Sequence, residues 1–278
     1  MVFQQLHEGE YLINKYLNPF NYLKKLSFYK DKVIYGLFYN VEKIRNVEIQ
    51  KFKEFDFEYQ QALDKINKTL KKLNQDEYHL QKDMASVHWL LFAALSETQD
   101  IKNILEIGTF DGKTTLLLSK LFPNAKITTV DLPDDDPIFT SSYQRDDEKY
   151  RRDFLKQQSE NTSSENINLI KRNSFFLNEV VDEKYDLIWV DGGHLYPEIS
   201  WDICNTYHLC NCNGWIMYDD IIPYQKYDQG MENSNAFNVL EYIKQRIESK
   251  IIYFLKRDDA KFSANPKKRK YVALMQKK

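Results

Sequence analysis

Two apolar segments of the chain end in acidic residues. The segment YDLIWVD covers 185–191 and ends on Asp191, and the segment GWIMYDD covers 214–220 and ends on Asp219 and Asp220. Adjacent carboxylates repel each other, and the repulsion costs free energy unless a positive charge lies between them. The acid pair could instead cap a helix and remain solvated, so the rest of the sequence has to indicate what faces these side chains.

The bulk composition is typical of a folded protein. The chain has 278 residues, of which 42% are hydrophobic and 29% are charged, so we expect one large domain, with or without a helical extension. The formal net charge is −2, which does not favour nucleic acid as a partner. The basic run KKRK at 267–270 could bind nucleic acid or lipid, but we interpret it as a solvated loop before the last strand.

Cysteine usage and hydropathy indicate a reducing compartment. The three cysteines are too few for a disulfide framework, and Cys210 and Cys212 have no second ligand pair to complete a zinc site. The amino terminus lacks the basic and apolar segments of a signal peptide, and no stretch reaches the ~18 apolar residues of a membrane span. We therefore expect a cytoplasmic protein that does not bind membranes.

Residues 37–107 contain neither glycine nor proline, which predicts helices. An apolar stripe at steps of three and four residues indicates one amphipathic helix there, and it consists of Phe52, Phe55, Tyr59, Leu63, Ile66, Leu70 and Leu73. The stripe could form a dimer interface or a lid, or it could pack on the chain's own core. A more apolar helix is predicted over 83–98, so we divide the chain into a helical N-terminal extension, 1–82, and a second domain, 83–278.

From about residue 101, apolar strands alternate with helical segments, which predicts an α/β fold with a parallel sheet covered by helices on both faces. The predicted strands are 103–108, 126–132, 167–173, 185–191, 214–220, 251–257 and 271–277. No helix is predicted between the last two strands, so they should pair antiparallel, as a hairpin or with one strand inserted beside the other. The long polar segment 133–166 should contain a loop over the ligand site, and such loops often act as lids.

Each of the first five strands is followed by polar residues at its carboxyl end, where ligands bind in open α/β sheets. The first strand runs into Gly108 and Gly112, which allow a tight turn, and then into a helix whose free N–H groups can meet an anion. Asp131 can accept both hydroxyls of a ribose, and Asn173 and Ser174 can meet an adenine edge. Five polar strand ends in one sheet predict a ligand site.

The turn after the first strand disfavours a dinucleotide cofactor. It reads G-x-x-x-G and has Phe110 where a glycine would have to admit the pyrophosphate. A ligand with ribose and adenine but no pyrophosphate fits this turn better, which indicates S-adenosylmethionine.

Four motifs in this order, LEIGTFDGKTT, VDL, VDGGH and YDDI, resemble those of class I S-adenosylmethionine-dependent methyltransferases, and among them the metal-dependent O-methyltransferases. The spacing D-G-x-H-x-Y from Asp191 to Tyr196, with the later acid pair, is most similar to the macrocin-type sugar O-methyltransferases. Catechol and caffeoyl-CoA O-methyltransferases are more distant. The resemblance covers roughly residues 85–278.

This resemblance implies a Rossmann-like fold, a seven-stranded sheet with an antiparallel last strand, and a set of site residues. The residues that would hold S-adenosylmethionine are Glu106, Gly108, Thr109, Gly112, Thr114, Asp131, Leu132, Asn173, Ser174 and Asp191. Asp191, Asp219 and Asp220 would bind a divalent ion, with Mg²⁺ expected, whose charge would relieve the repulsion between the carboxylates. His194 would act as the general base, and Asp191 would share in catalysis; His194 could instead only hydrogen-bond its own loop.

The expected activity is methylation of a hydroxyl group on a sugar or other small polyol, so the expected partner is a small molecule or a glycan. Methylation of a phenol or catechol is the alternative for the same site. A third hypothesis is a binding or scaffold protein with a methyltransferase fold that has lost activity, which three converging carboxylates disfavour. The N-terminal helices could in addition form a homo-oligomer.

Overall fold

A seven-stranded sheet organises the part of the chain that the structure describes. The computed structural model describes residues 36, 38–79, 86–223, 236–247, 249–259 and 263–278. The strands are β1 (Asn103–Ile107), β2 (Lys126–Asp131), β3 (Ile167–Lys171), β4 (Tyr185–Val190), β5 (Cys210–Ile221), β6 (Lys250–Leu255) and β7 (Tyr271–Gln276). Each predicted strand is present, and β5 begins four residues earlier than predicted because its first residue, Cys210, pairs with Tyr185 at the beginning of β4.

The strand order is β3-β2-β1-β4-β5-β7-β6. Strands β1 to β5 run parallel to one another, whereas β7 runs antiparallel to both β5 and β6. β7 therefore lies between β5 and β6. Of the two predicted arrangements of the last two strands, the structure has the one in which one strand is inserted beside the other. The predicted Rossmann-like fold, a seven-stranded sheet with an antiparallel last strand, is confirmed.

Helices cover both faces of this sheet. They are α1 (Val41–Phe52), α2 (Tyr59–Lys72), α3 (Val87–Thr98), α4 (Lys113–Leu121), α5 (Pro137–Ser141), α6 (Glu148–Asn161), α7 (Leu177–Val180), α8 (Glu198–Leu209) and α9 (Ala236–Arg246). One core lies between one face of the sheet and α1 to α4, and a second core lies between the other face and α8 and α9. Successive strand residues alternate between the cores, so Ile104 belongs to the first and Leu105 to the second. None of the described helices is long and apolar enough to span a bilayer.

The apolar stripe of the N-terminal region is divided between two helices, so the prediction of one continuous helix is wrong. α1 ends at Phe52, a 3₁₀ turn covers Lys53–Phe55, and Asp56 adopts a φ of +58° before α2 begins at Tyr59. A left-handed residue cannot continue a right-handed helix, so the chain changes direction there. All seven members of the stripe nevertheless pack against the first core. The stripe therefore covers the chain's own core, and an oligomer through these helices stays a prediction.

The apolar helix predicted over 83–98 is α3, whose residues from Val87 to Leu95 are all buried. Residues 1–35 and 80–85 lie outside the described residues, and the predicted boundary between 82 and 83 falls among them. The division into an extension and a second domain stays a prediction.

We expect Leu70→Ala to lower the free energy of unfolding by about 2–5 kcal/mol, because it opens a cavity in the first core, where α2 packs against α3. Leu70 is 1% exposed. Urea unfolding followed by circular dichroism measures the change. Val47→Ala in α1 is the control, since Val47 is 53% exposed; it should change stability by less than about 0.5 kcal/mol. Equal effects of the two substitutions would contradict the packing of α2.

Candidate functional site

The turn after β1 fits tightly against the rest of the chain. Gly108 has a φ of +96° and Gly112 a φ of +77°. A Cβ at Gly108 would lie 2.2 Å from the Asp191 carbonyl oxygen, and a Cβ at Gly112 would lie 2.9 Å from Cβ of Asn161. Both glycines are therefore required by contacts within the protein, before any ligand is considered.

The first turn of α4 offers fewer free N–H groups than the sequence predicts. The Lys113 N–H donates to Asp111 Oδ1 at 3.1 Å, so this carboxylate already occupies part of the anion position. Thr109 is buried and its hydroxyl lies 2.6 Å from that of Thr129, whereas Thr114 is partly exposed.

Glu106 is hydrogen-bonded to the elements next to this turn. Its side chain is fully buried, and Oε2 accepts hydrogen bonds from the hydroxyls of Thr115 and Thr129. Burial raises the pKa of Glu106 to about 8, and the two hydrogen bonds only partly offset that effect. The residue therefore ties β1, β2 and α4 together, and a direct contact with a cofactor stays a prediction.

Asp131 is held at the end of β2 by defined partners. Its Oδ1 accepts the Leu132 N–H at 2.9 Å, and its Oδ2 accepts from Gln158 Nε2 at 2.9 Å. Gln158 is buried, and its own Oε1 accepts from Lys171 Nζ at 2.5 Å. Burial raises the pKa of Asp131, while Lys171 and Arg145 oppose the shift. The acid predicted to bind ribose is thus oriented by α6 and β3.

The segment 133–166 lies beside the turn after β1 and contains α5 and α6. Phe110 contacts Tyr143 and Phe154, with ring centroids 5.1 Å apart in each case. The guanidinium of Arg145 lies 3.9 Å from the ring centroid of Phe139. The segment is therefore packed onto the site by aromatic contacts, and the predicted role as a moving lid stays a prediction.

The residues after β3 face α8. Asn173 Oδ1 accepts the Phe175 N–H at 2.9 Å and begins a short 3₁₀ turn, Ser174–Phe176. Ser174 lies near the carboxyl of Asp202, a fully buried residue of α8 whose two carboxylate oxygens have no hydrogen-bond partner among the described residues. Burial raises the pKa of Asp202 to about 6. Contact of Asn173 or Ser174 with adenine stays a prediction.

The acids of β4 and β5 converge at the carboxyl edge of the sheet. Ligand atoms of Asp191, His194 and Asp219 all lie within 4.8 Å of one another. His194 Nε2 lies 3.4 Å from Asp191 Oδ1 and 3.9 Å from Asp220 Oδ2. Such a group of oxygen and nitrogen atoms has the composition of a divalent metal site. Of the three predicted metal ligands, Asp191 and Asp219 lie in this group with His194, whereas Asp220 is not part of it. Metal binding by the three acids stays a prediction.

The positive charge between Asp219 and Asp220 is supplied in this structure by lysine. Lys256 Nζ donates to Asp219 Oδ2 and, at 2.6 Å, to Asp220 Oδ1. Lys270 Nζ donates to Asp220 Oδ2 at 2.5 Å. Both oxygens of Asp220 are thus engaged by lysines. The expectation that KKRK is only a solvated loop is wrong for its last residue, because Lys270 reaches the acid pair.

The charges of this cluster shift one another's protonation. Burial and the neighbouring Asp219 raise the pKa of Asp191. Burial alone would lower the pKa of His194, but the hydrogen bond with Asp191 and the charges of Asp220 and Asp219 raise it above its ordinary value. Burial would raise the pKa of Asp220, but Lys256 and His194 hold it well below its usual range. Asp191 and His194 are therefore the two groups of the cluster suited to exchange a proton near neutral pH.

Sequence reasoning missed Lys256, Lys270, Gln158 and Asp202. A signal for the two lysines was present, because β6 and β5 run parallel and β7 runs between them in the opposite direction. The residue after β6 and the residue before β7 then lie at the same edge as the acids. Gln158 and Asp202 lie inside helices, where the sequence shows no pattern that distinguishes them from surface residues.

Residues 105–221 match a family model described as Methyltransferase domain. The matched segment is similar to a methyltransferase domain. It extends from β1 to the end of β5 and therefore contains the turn after β1, Asp131, Asp191 and the acid pair. The predicted class of enzyme, a methyltransferase, is confirmed. No curated protein matches the sequence.

Solved structures resemble the fold of this protein at low sequence identity. A putative caffeoyl-CoA O-methyltransferase from Staphylococcus aureus is 14% identical, with a TM-score of 0.50 over 83% of this chain and 97% of its own. The O-methyltransferase TomG from Streptomyces achromogenes, in complex with SAM, is 16% identical, with a TM-score of 0.48 over 84% of this chain and 97% of its own. An O-methyltransferase from Bacillus cereus, in complex with SAH, is 14% identical, with a TM-score of 0.47 over 86% of this chain and all (100%) of its own. At these identities the likeness concerns the fold alone.

We expect Glu106→Gln to change the pH dependence of stability. The pKa of Glu106 is about 8 in the folded protein and 4.5 ordinarily, so the folded state binds this proton more tightly. Its contribution to stability is present below about pH 4.5 and is lost as the pH rises to about 8. The free energy of unfolding of the variant relative to the wild type should therefore increase between pH 5 and pH 8, by up to a few (~3) kcal/mol. Urea unfolding at both pH values measures it, and a constant difference would show that Glu106 does not titrate in this way.

Proposed function

We propose that this protein is an S-adenosylmethionine-dependent and divalent-metal-dependent O-methyltransferase that acts on a hydroxyl group of a sugar or other small polyol. One observation carries the proposal: the cluster of Asp191, His194 and Asp219 lies at the same sheet edge as Asp131 and the turn after β1, within the segment similar to a methyltransferase domain. A base and a group of metal-binding side chains beside a cofactor site suit the activation of a hydroxyl.

The fit of S-adenosylmethionine rests on the strand ends of β1, β2 and β4. Asp131 is fixed by Gln158 and by the Leu132 N–H, so it is oriented to accept from a ribose. The turn from Gly108 to Gly112 lies against the loop after β4, where the methionine part would be held beside Asp191. S-adenosylmethionine would supply a methyl group already activated by its sulfonium.

The fit of a divalent ion rests on Asp219. Its side chain is 4% exposed, and among the described residues its Oδ1 has no hydrogen-bond partner, although Oδ2 contacts Lys256. A buried carboxylate oxygen without a partner is costly, and an ion shared with Asp191 would satisfy it. The ion would supply Lewis acidity that lowers the pKa of the acceptor hydroxyl.

His194 takes the proton of the acceptor hydroxyl in this proposal. Its Nε2 faces Asp191 and Asp220, whose negative charges stabilise the imidazolium that forms. The side chain of His194 is 32% exposed, so the proton can pass to solvent after each turnover. The remaining task of the site is to hold the hydroxyl oxygen in line with the methyl group.

The acceptor class is inferred from the resemblance of the D-G-x-H-x-Y spacing to macrocin-type sugar O-methyltransferases. A phenol or catechol is the second candidate, and the exposed aromatic side chains after β3 and in α8 favour it. Phe175 and Trp201 stack with ring centroids 5.7 Å apart, and Trp201 remains 43% exposed. A panel of nucleotide sugars, glycans and catechols, tested with labelled S-adenosylmethionine, distinguishes the two candidates.

We expect Asp131→Ala to weaken the binding of S-adenosylmethionine by about 1.5–3 kcal/mol, because charge-assisted hydrogen bonds to the ribose are lost. Isothermal titration calorimetry measures the affinity. Asp100→Ala is the control, since Asp100 precedes β1 at the opposite edge of the sheet and its side chain is 82% exposed. Equal affinity of the two variants would place the ribose elsewhere.

We expect methyl transfer to stop in excess chelator and to return when Mg²⁺ or Mn²⁺ is added. Asp219→Asn should abolish turnover or raise the metal requirement, and it should leave S-adenosylmethionine binding largely intact. His194→Ala should lower the turnover rate by roughly 10²- to 10⁴-fold. Initial rates with a labelled cofactor, paired with calorimetry of cofactor binding, check all three. Full activity in chelator would remove the metal from the proposal.

A further inference from the structure

Lys256 places its ammonium group between the carboxylates of Asp219 and Asp220. Its Nζ contacts Asp219 Oδ2 and lies 2.6 Å from Asp220 Oδ1, and its side chain is only 15% exposed. Lys270 contacts Asp220 from the outside at 2.5 Å, and its side chain is 50% exposed. Of these two lysines, only Lys256 contacts Asp219, which is a member of the candidate metal cluster.

The backbone of Lys256 is fixed, so its ammonium is directed to the acids by the fold. Its N–H donates to the Lys270 carbonyl oxygen at 2.9 Å, and its carbonyl oxygen accepts from the Val87 N–H at 3.1 Å. These bonds tie the end of β6 to β7 on one side and to the beginning of α3 on the other. The side chain can still move its ammonium, because four rotatable bonds separate it from this anchored backbone.

The cluster also offers atoms that Lys256 does not satisfy. Asp219 Oδ1 and His194 Nδ1 are buried, and neither has a hydrogen-bond partner in the part of the chain that the structure describes. Asp219 as a whole is 3% exposed. A lysine ammonium that binds Oδ2 therefore leaves the second oxygen of the same carboxylate available to another cation.

We propose that Lys256 is a built-in cation that competes with a divalent ion for Asp219 and so sets the affinity of the site for metal. The inference rests on the metal site of the proposed function. With Lys256 and Lys270 in place and His194 neutral, the three carboxylates retain a net charge of about −1, whereas removal of Lys256 leaves about −2 for a divalent ion to meet.

This competition has a defined consequence for the protein without substrate. A divalent ion has to enter beside an ammonium group that repels it, or the ammonium has to leave Asp219 Oδ2 first. Metal binding in the wild type is therefore weak, and the acid pair stays neutralised when no metal is bound. Lys256 thus protects the buried carboxylates from mutual repulsion, which is the role that the sequence assigned to the ion alone.

The test measures Mn²⁺ binding to the full chain, with Mn²⁺ alone as the probe and no substrate. Lys256→Met removes the charge and keeps an unbranched side chain, and Lys256→Gln keeps hydrogen-bond donors without the charge. Both should bind Mn²⁺ at least about tenfold more tightly than the wild type, because one charge at this range shifts the pKa of a neighbouring group by about 1–3 units. Calorimetry and the signal of free Mn²⁺ in electron paramagnetic resonance give the dissociation constants.

Two control variants calibrate the effect. Lys270→Met removes a charge from Asp220 but not from Asp219, so it should raise Mn²⁺ affinity less than Lys256→Met does. Lys126→Met removes an exposed ion pair with Glu183 at the start of β2 and should leave the affinity unchanged. Thermal melts with and without Mn²⁺ report folding, and Mn²⁺ should raise the melting temperature most in the Lys256 variants.

The Mn²⁺ affinities and the folding of the variants together test the competition. Unchanged or weaker Mn²⁺ binding by a folded Lys256 variant overturns it, and so do variants that stay unfolded with and without Mn²⁺. Binding by the Lys256 variants but not by the wild type supports the competition and removes the metal requirement from the proposed function. Failure of every variant to bind Mn²⁺ overturns both the competition and the metal site.

Discussion

The repulsion between carboxylates at one edge of the sheet is the constraint on which the site depends. Asp191, Asp219 and Asp220 lie at the carboxyl ends of strands that are packed on both faces, so water can solvate them only from one side. Burying three like charges together is costly unless cations lie among them. Lys256 meets that requirement at Asp219 and Asp220, and His194 meets part of it at Asp191. The insertion of β7 between β5 and β6 is what brings the lysine to the acids.

Much of the fold could be predicted because apolar strands and helical segments alternate clearly along the chain. The sheet, its antiparallel strand and the buried helix α3 follow from that alternation and from the lack of a helix before β7. The N-terminal stripe was misread because spacing alone does not show where a helix is interrupted. Asp56 adopts the left-handed conformation there, and nothing in a step of three or four residues signals it. Burial of the stripe could be predicted, but its division could not.

The site could be predicted only where its residues follow strands directly. Asp131, Asp191 and the acid pair come at strand ends, so their convergence follows from a parallel sheet. Lys256 comes from a strand far along the chain, and its place depends on the order in which β6 and β7 enter the sheet. The pleat of a strand would in addition direct Asp219 and Asp220 to opposite faces. Asp220 has a φ of +55°, and the register of β5 and β7 shifts there, so both carboxylates reach the same lysine.

The position of β7 also imposes an order on the assembly of the domain during synthesis. β6 pairs with β7, and β7 joins it to β5, so β6 has no place in the sheet until residues 271–276 have left the ribosome. Until then Ile251, Phe254 and Leu255 lack their strand partners in β7, and Lys256 is not held at the acid pair. The nascent chain therefore carries an uncompensated acidic edge and an unpaired apolar strand at the same time. The pairing of β7 with β5 and β6 ends both conditions. The same strand therefore completes the apolar core and brings the lysine to the acid pair.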